Sequence, residues 1–208
     1  MRFRSRTVGA VLAVAAVSTL VAAGVVKNPA SADGRTFSFA MVRSQGAEAA
    51  NCIPNARAVV RVHPEGPNEI LTIRAAGLPP RTNFDLFVLQ LPDAPFGVSW
   101  YQSDMRSNQY GVARVTVIGR FNIETFAVAP GSGPAPNTHP GLDATTNPPF
   151  GPVHTYHLGL WFNSPQEAVA AGCPGATTPF NGDHTAGVQA MSTRNFPSLA
   201  GPLSQVGS

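Results

Sequence analysis

The sequence predicts an all-β protein, a Greek-key β-sandwich of immunoglobulin-like type with about eight or nine short strands. Short runs in which apolar and polar residues alternate are frequent, whereas helical periodicity is nearly absent. Clusters of Gly, Pro and Asn separate these runs at short intervals, as turns do in antiparallel sheets. The expected exceptions to strand structure are one short helix near residues 165–171 and one long loop rich in Pro and Gly.

The first half of the chain contains the clearest strand candidates. Residues 36–42 form the first. Residues 57–63 alternate well, a turn cluster occupies 64–68, and residues 69–75 alternate again, so a hairpin is predicted. Residues 83–91 carry apolar side chains on both faces, which indicates a central strand covered on both sides.

The middle of the chain combines further strands with a change of composition. Residues 97–104 and 111–121 are expected to form an antiparallel pair around the polar turn at 105–110. Residues 124–129 form a short strand candidate. Residues 130–152 contain seven Pro and four Gly among 23 residues, so they are interpreted as a long loop that leaves the sandwich.

Strand candidates return at residues 153–162 and, near the end, at residues 187–193. In the first of these runs, His157 and Trp161 share one face, and the apolar residues at even positions share the other. A binding surface on this strand would therefore include His157 and Trp161.

One short helix is predicted from its capping residues. Ser164 is the N-cap, Pro165 occupies the first helical position, and Glu167 is placed to reach back to the cap. Gly172 ends the helix, which therefore spans about two turns.

The N-terminus has the composition of a secretory signal peptide. Three arginines lie within the first six residues, residues 8–26 carry no charge, and small side chains stand at Ala30 and Ala32. We expect cleavage after Ala32, so that residues 1–32 are removed and residues 33–208 form a single secreted domain. The alternative is an uncleaved membrane anchor, since about 19 apolar residues can just span a bilayer.

Removal of the signal peptide changes the charge of the chain. The segment holds four basic residues and no acidic ones, so ten arginines and eleven acidic residues remain and the net charge is about −1. Arg57, Arg61 and Arg74 stand near Glu65 and Glu69 in the sequence, which is interpreted as a solvated face of mixed charge. Without a basic stripe, nucleic acid is not an expected partner.

The chain contains two cysteines, Cys52 and Cys173. In an exported protein such a pair usually forms a disulfide. No Cys-x-x-Cys or Cys-x-x-His spacing favours the alternative of metal-binding or nucleophilic thiols.

Histidines and one aspartate are the first candidate binding residues. His154, His157, Asp183 and His184 carry groups that can bind zinc or copper. His154 and His157 are three residues apart, however, and such positions point to opposite faces of a strand. Histidines that orient loops through hydrogen bonds are therefore the preferred interpretation, and neither a metal nor another cofactor is assigned.

Aromatic residues are the second group of candidates, because flat rings stack on the apolar faces of sugars and peptides. Core packing is the preferred interpretation of Trp100 and Trp161. Tyr101 points to the face opposite Trp100 and is the better surface candidate.

Four sequence runs are similar to a family of small secreted proteins of high-GC Gram-positive bacteria, the actinobacteria. These runs are PFGVSWYQ at 95–102, GRF at 119–121 with ETF at 124–126, HLGLWFNSP at 157–165 with GCPG at 172–175, and PFNG at 179–182 with His184. The resemblance covers most of the chain after the signal peptide. It implies an exported protein and implies no particular chemistry.

These observations predict a secreted or surface-associated, non-enzymatic protein with a binding or structural role. Gly-x-Ser-x-Gly, His-Glu-x-x-His and phosphate-binding glycine motifs are absent. The partner is expected to be an extracellular ligand or a component of the cell envelope, and the membrane is a partner only through an uncleaved signal segment. The alternative is a small metal-dependent hydrolase that uses His157, His184 and Asp183. The predicted binding residues are His154, His157, Trp161, Asp183, His184 and Tyr101.

Overall fold

Antiparallel strand pairing organises most of the chain that the computed structural model describes, which comprises residues 35–121, 126–127, 153–180 and 184–206. The strands are β1 (Phe37–Arg43), β2 (Arg57–Glu65), β3 (Asn68–Ala76), β4 (Asn83–Leu89), β5 (Ser99–Arg106), β6 (Ala113–Gly119), β7 (Phe126–Ala127), β8 (Val153–His154), β9 (His157–Phe162) and β10 (Gln189–Ser192). The helices are α1 (Gln45–Ala49) and α2 (Pro165–Ala170), followed by a final 3₁₀ turn at Pro202–Gln205. Residues 31–208 form a compact unit of their own, which contains all of these elements. The predicted signal peptide and the whole of the predicted long loop, residues 130–152, lie outside the described residues.

Eight strands form one sheet in the order β5-β4-β9-β10-β1-β2-β3-β6, and β7 and β8 form a separate pair. Every pairing is antiparallel. The two end strands, β5 and β6, contact each other, so the sheet curls back on itself. The accumulated twist of neighbouring strands favours such curling. The all-β prediction is confirmed, and a nearly closed sheet takes the place of two clearly separate ones.

The predicted pairing of residues 97–104 with 111–121 is wrong. Strand β5 pairs with β4, whereas β6 pairs with β3, and the two strands lie at opposite ends of the hydrogen-bonded order. Alternation shows which side chains face the interior, but it does not show which strand is the neighbour.

The main core lies inside the curled sheet, where it receives alternate residues from each strand. In the β2–β3 hairpin, Val60, Val62, Leu71 and Ile73 are fully buried, as their alternation predicts. Strand β4 is buried at six of its seven positions, so the predicted central strand is confirmed.

One acidic residue lies on the opposite side of the sheet from the position that the sequence suggested. Glu69 is 4% exposed, and its carboxylate accepts a hydrogen bond from the backbone N–H of Phe121 at 2.7 Å. Its side chain therefore points away from Arg57, Arg61 and Arg74. The interpretation of these residues as a face of mixed charge is wrong with respect to Glu69.

The predicted helix is confirmed as α2. The hydroxyl of Ser164 accepts a hydrogen bond from the backbone N–H of Glu167 at 3.3 Å, and Gly172 follows the helix with a φ of +76°. The Glu167 carboxylate reaches back to the cap, where it accepts a hydrogen bond from the Ser164 hydroxyl at 3.3 Å. It accepts hydrogen bonds from the backbone and side-chain N–H groups of Asn83, at 3.0 and 2.8 Å, and so attaches the helix to the start of β4.

Helix α1 was not predicted, because a five-residue helix shows no periodicity. Ser44 caps it by accepting a hydrogen bond from Ala47 N–H at 3.0 Å. The predicted disulfide is confirmed: Cys52 follows α1, Cys173 follows α2, and their Cα atoms are 5.2 Å apart. Across the described ranges, no helix is long and apolar enough to cross a membrane.

Candidate functional site

A second, smaller aromatic cluster covers the outer face of β4 and β9, opposite the main core. Trp161 is fully buried at its centre, as its core interpretation predicts. Its ring centroid lies 4.9 Å from those of Phe96 and Phe180 and 5.4 Å from that of Phe87. The other buried members are Leu89 and Ala186. Side chains from several separate segments therefore cover this part of the sheet.

Gly159 makes room for the indole ring. A Cβ atom on Gly159 would lie 2.3 Å from Trp161 Cζ3 and 2.9 Å from the Gln189 side-chain nitrogen. Real Cβ atoms essentially never approach other atoms this closely. Glycine at this position of β9 therefore leaves space against the sheet for the Trp161 ring and the Gln189 amide.

A pocket of about 220 Å³ lies beside Trp161. Its walls combine aromatic and aliphatic groups with several polar ones. They are formed by Ser44, Gln45, Gly46, Asp93, Ala94, Phe96, Trp161, Thr178, Val188 and Gln189. The pocket is smaller than the roughly 300–1,000 Å³ typical of sites for drug-sized molecules, so it fits a small ligand.

Two buried polar atoms on the residues of this pocket have no hydrogen-bond partner among the described residues. They are the indole N–H of Trp161, a donor, and Oδ1 of Asp93, an acceptor. The Arg194 Nε atom is 3.4 Å from Asp93 Oδ1, which is an ion-pair distance, but the geometry is not that of a hydrogen bond. By contrast, the Gln189 side chain has a hydrogen-bond partner, because its N–H group donates to the Pro92 carbonyl at 3.2 Å.

His157 is held inside the protein by hydrogen bonds to both ring nitrogens. The ring is fully buried, and its Nε2 atom donates to the Ser198 carbonyl at 3.1 Å. Its Nδ1 atom is then the acceptor for the Thr193 hydroxyl at 2.9 Å. Burial lowers the pKa of His157, although the surrounding backbone hydrogen bonds partly oppose this shift. Both ring nitrogens are therefore engaged within the fold.

The other predicted histidines occupy different settings. His154 stacks on Tyr156 with a centroid distance of 4.9 Å, and its Nδ1 atom is buried without a partner among the described residues. His184 is exposed, with a φ of +56°, and Asp183 lies outside the described residues. Within the described ranges, no three His, Cys, Asp or Glu side chains come together as a metal site.

Tyr101 is a surface residue, as predicted, and it is 43% exposed. Its hydroxyl donates to Asp104 Oδ1 at 2.8 Å. Partial burial raises the pKa of Tyr101 to about 12, with further contributions from the hydrogen bond to Asp104 and from the negative charges of Asp104 and Asp85.

Trp100 is 64% exposed, so its interpretation as a core residue is wrong. The strand register does not explain this exposure, because Trp100 pairs with Val88, which is a buried member of the main core. Strand β5 is an end strand of the sheet, where less of the interior is available to cover a large ring.

The sequence did not identify Asp93, Gln189 and Phe180 as parts of the site. Asp93 and Phe180 lie in loops, and Gln189 is the first residue of a short strand, so alternation carries no signal for them. The aromatic set around Trp161 was the available signal, because clustered rings commonly line small-molecule sites.

Comparison of the chain with protein-family models finds no matching family, and comparison with curated proteins finds no match either. The resemblance to secreted actinobacterial proteins stays a prediction. Any functional assignment must therefore come from the geometry of the chain itself.

Proposed function

We propose that this chain is an exported, non-enzymatic protein that binds a small hydroxyl-bearing ligand, such as a sugar ring, in the pocket beside Trp161. One observation carries the proposal. The pocket residues combine a donor on Trp161 and an acceptor on Asp93, both without a hydrogen-bond partner among the described residues, with the aromatic ring of Phe96.

The unpaired atoms indicate the chemistry of the ligand. A hydroxyl group both donates and accepts hydrogen bonds, so a polyhydroxylated ring can satisfy the carboxylate of Asp93 and the indole N–H together. A hydrogen bond from a hydroxyl group to a charged carboxylate is stronger than one between two neutral groups. The C–H face of such a ring suits the aromatic wall. The volume of the pocket limits the ligand to a single ring or a similar small group.

The N-terminal sequence and the cysteines support an extracellular location. Residues 1–32 have the charge, apolar and small-residue pattern of a signal peptide. The Cys52–Cys173 disulfide is typical of proteins that fold in an oxidising compartment. A metal-dependent hydrolase using His157 receives no comparable support, because both nitrogens of that ring are already hydrogen-bonded.

Tryptophan fluorescence tests the proposal, because the chain contains two tryptophans and one of them is removable. A Trp100→Phe variant leaves Trp161 as the reporter inside the pocket. We would titrate it with glucose, galactose and N-acetylglucosamine. We expect a saturable change in emission with at least one of the sugars.

Asp93→Ala and Asp104→Ala form a matched pair of carboxylate deletions in this background. Loss of a hydrogen bond to a charged group costs about 1.5–3 kcal/mol, so Asp93→Ala should weaken sugar binding roughly ten- to hundredfold. Asp104→Ala, whose carboxylate is bonded to Tyr101, should leave binding unchanged. Absence of any response to the sugars, or equal effects of the two variants, would refute the proposal.

A further inference from the structure

We propose that the outer face of β2, β3 and β6 is a docking surface for an anionic phospholipid bilayer. Four arginines carry this inference: Arg57 and Arg61 on β2, Arg74 on β3 and Arg114 on β6. All four are exposed. This surface, which we call the arginine face, is separate from the Trp161 pocket and does not depend on it.

The strand register brings the four charges together. Arg74 is the direct cross-strand partner of Arg114. On its other side, Arg74 pairs with Val59, so Arg57 and Arg61 are its two diagonal neighbours. From the spacing of strands and residues in a sheet, the four Cα atoms occupy an area of roughly 10 by 14 Å.

No carboxylate of the described residues neutralises these arginines. Glu69 points to the buried side of the sheet, and Glu65, at the end of the hairpin, pairs with His63 at 3.3 Å. The ion pairs of Glu48 and Asp93 in the described part of the chain are both with Arg194. Like charges directly opposite each other on neighbouring strands are destabilising. An external anion bound between Arg74 and Arg114 would relieve this repulsion.

The remaining side chains of the arginine face favour a lipid surface over a soluble polyanion. Val59 is 54% exposed and Ile118 is 69% exposed, and both share the face with the arginines. Apolar groups beside cations suit the interface of a bilayer, where they leave water while the guanidinium groups contact phosphates. The outward positions of these three strands contain no Phe, Tyr or Trp on which bases could stack, which disfavours single-stranded nucleic acid.

Vesicle co-sedimentation tests the proposal with residues 33–208, which contain all of the described elements and the disulfide. The probes are phosphatidylcholine vesicles with and without phosphatidylglycerol. We expect binding that requires phosphatidylglycerol and weakens with added salt. In Arg74→Gln/Arg114→Gln, the partition coefficient should fall about thirtyfold, whereas Arg74→Lys/Arg114→Lys should retain it.

Two further variants separate this proposal from its rivals. Arg81→Gln removes one exposed charge elsewhere and should change binding less than Arg74→Gln does. Val59→Ser/Ile118→Ser keeps every charge and should weaken vesicle binding but not binding to soluble inorganic polyphosphate. Circular dichroism and thermal melts establish that each variant is folded.

Three results would overturn the proposal. These are equal binding to both kinds of vesicle, unchanged binding of the folded Arg74→Gln/Arg114→Gln variant, and unchanged vesicle binding of Val59→Ser/Ile118→Ser with tight binding to polyphosphate. The last result would assign the face to a soluble polyanion.

Discussion

Two outer surfaces of the same antiparallel sheet differ in what covers them. Over β4 and β9, the outer side chains are buried beneath the aromatic cluster around Trp161. Over β2, β3 and β6, the outer side chains are mainly arginines, threonines and a few aliphatic residues, with His63, Glu65 and Asn68 near the hairpin turn. Both regions are antiparallel sheet, so the difference comes from the outward side chains of the strands and from the loop residues Phe96 and Phe180, which cover one face only.

The difference separates two ways in which a sheet can bind a partner. The covered face contains the pocket beside Trp161, where we propose that a small molecule binds. The arginine face has no such cover, and it can meet a broad surface through many weak contacts. Substitutions in the two regions should therefore have very different effects on stability.

The largest expected effect comes from removing the ring at the centre of the covered face. Trp161→Ala should lower the free energy of unfolding by about 3–5 kcal/mol, because it removes a fully buried aromatic side chain. Trp100→Ala, at an exposed position, should cost less than about 1 kcal/mol. Urea denaturation measures both. Similar losses in the two variants would contradict the contrast between covered and exposed rings.

A smaller effect is expected from filling the space above β9. Gly159→Ala should cost about 1–3 kcal/mol, because the new methyl group collides with Trp161, Leu89 and Gln189. Gly46→Ala is the control, since its Cβ would meet only Ser44 Oγ at 4.0 Å and alanine favours the helix. A neutral Gly159→Ala variant would show that the cluster is loosely packed.

The pH dependence of stability should also distinguish the regions. Because burial lowers the pKa of His157 in the folded state, the unfolded chain binds a proton more readily. The contribution of His157 is therefore complete above its unfolded pKa of about 6.5 and is lost as the pH falls below that value. Melting temperatures should decrease between about pH 7.5 and 5.5 in the wild type.

His157→Gln should reduce this acid sensitivity, since glutamine does not titrate. Identical profiles for the wild type and His157→Gln would show that the buried ring does not limit acid stability.

The smallest expected effect is on the arginine face. Arg114→Glu turns a like-charge cross-strand pair into an opposite-charge pair with Arg74, so it should raise the free energy of unfolding by about 0.2–1 kcal/mol. Added salt should remove the difference, because exposed charges are screened. A destabilised Arg114→Glu variant would contradict the repulsion between the two arginines.

Much of the fold was predictable because it depends on local patterns. Alternation placed Val60, Val62, Leu71 and Ile73 in the core. Ser164 and Gly172 marked the limits of α2, since cap geometry depends on residues within one turn. The disulfide followed from the presence of two cysteines in a chain with a predicted signal peptide.

The candidate site was predictable only in part. Trp161 was named both as a binding candidate and as a core residue; its burial confirms the core interpretation, and its place in the wall of a pocket leaves the binding role a prediction. His157 was named for its chemistry, but burial and two hydrogen bonds engage its ring within the fold. Asp93 and Gln189 reach the pocket through long-range packing, for which no local signal exists.

The sequence by itself determined the all-β class, the strand faces, the second helix and the disulfide, because each depends on short-range geometry or on cysteine count. Only the tertiary structure decided that β5 and β6 lie at opposite ends of the sheet, that Trp100 is exposed, and that Arg74 faces Arg114. The physical reason is that strand partners and loop coverage depend on contacts between residues far apart in the chain. The period of two in a strand assigns a residue to a face, but it carries no information about what lies on that face.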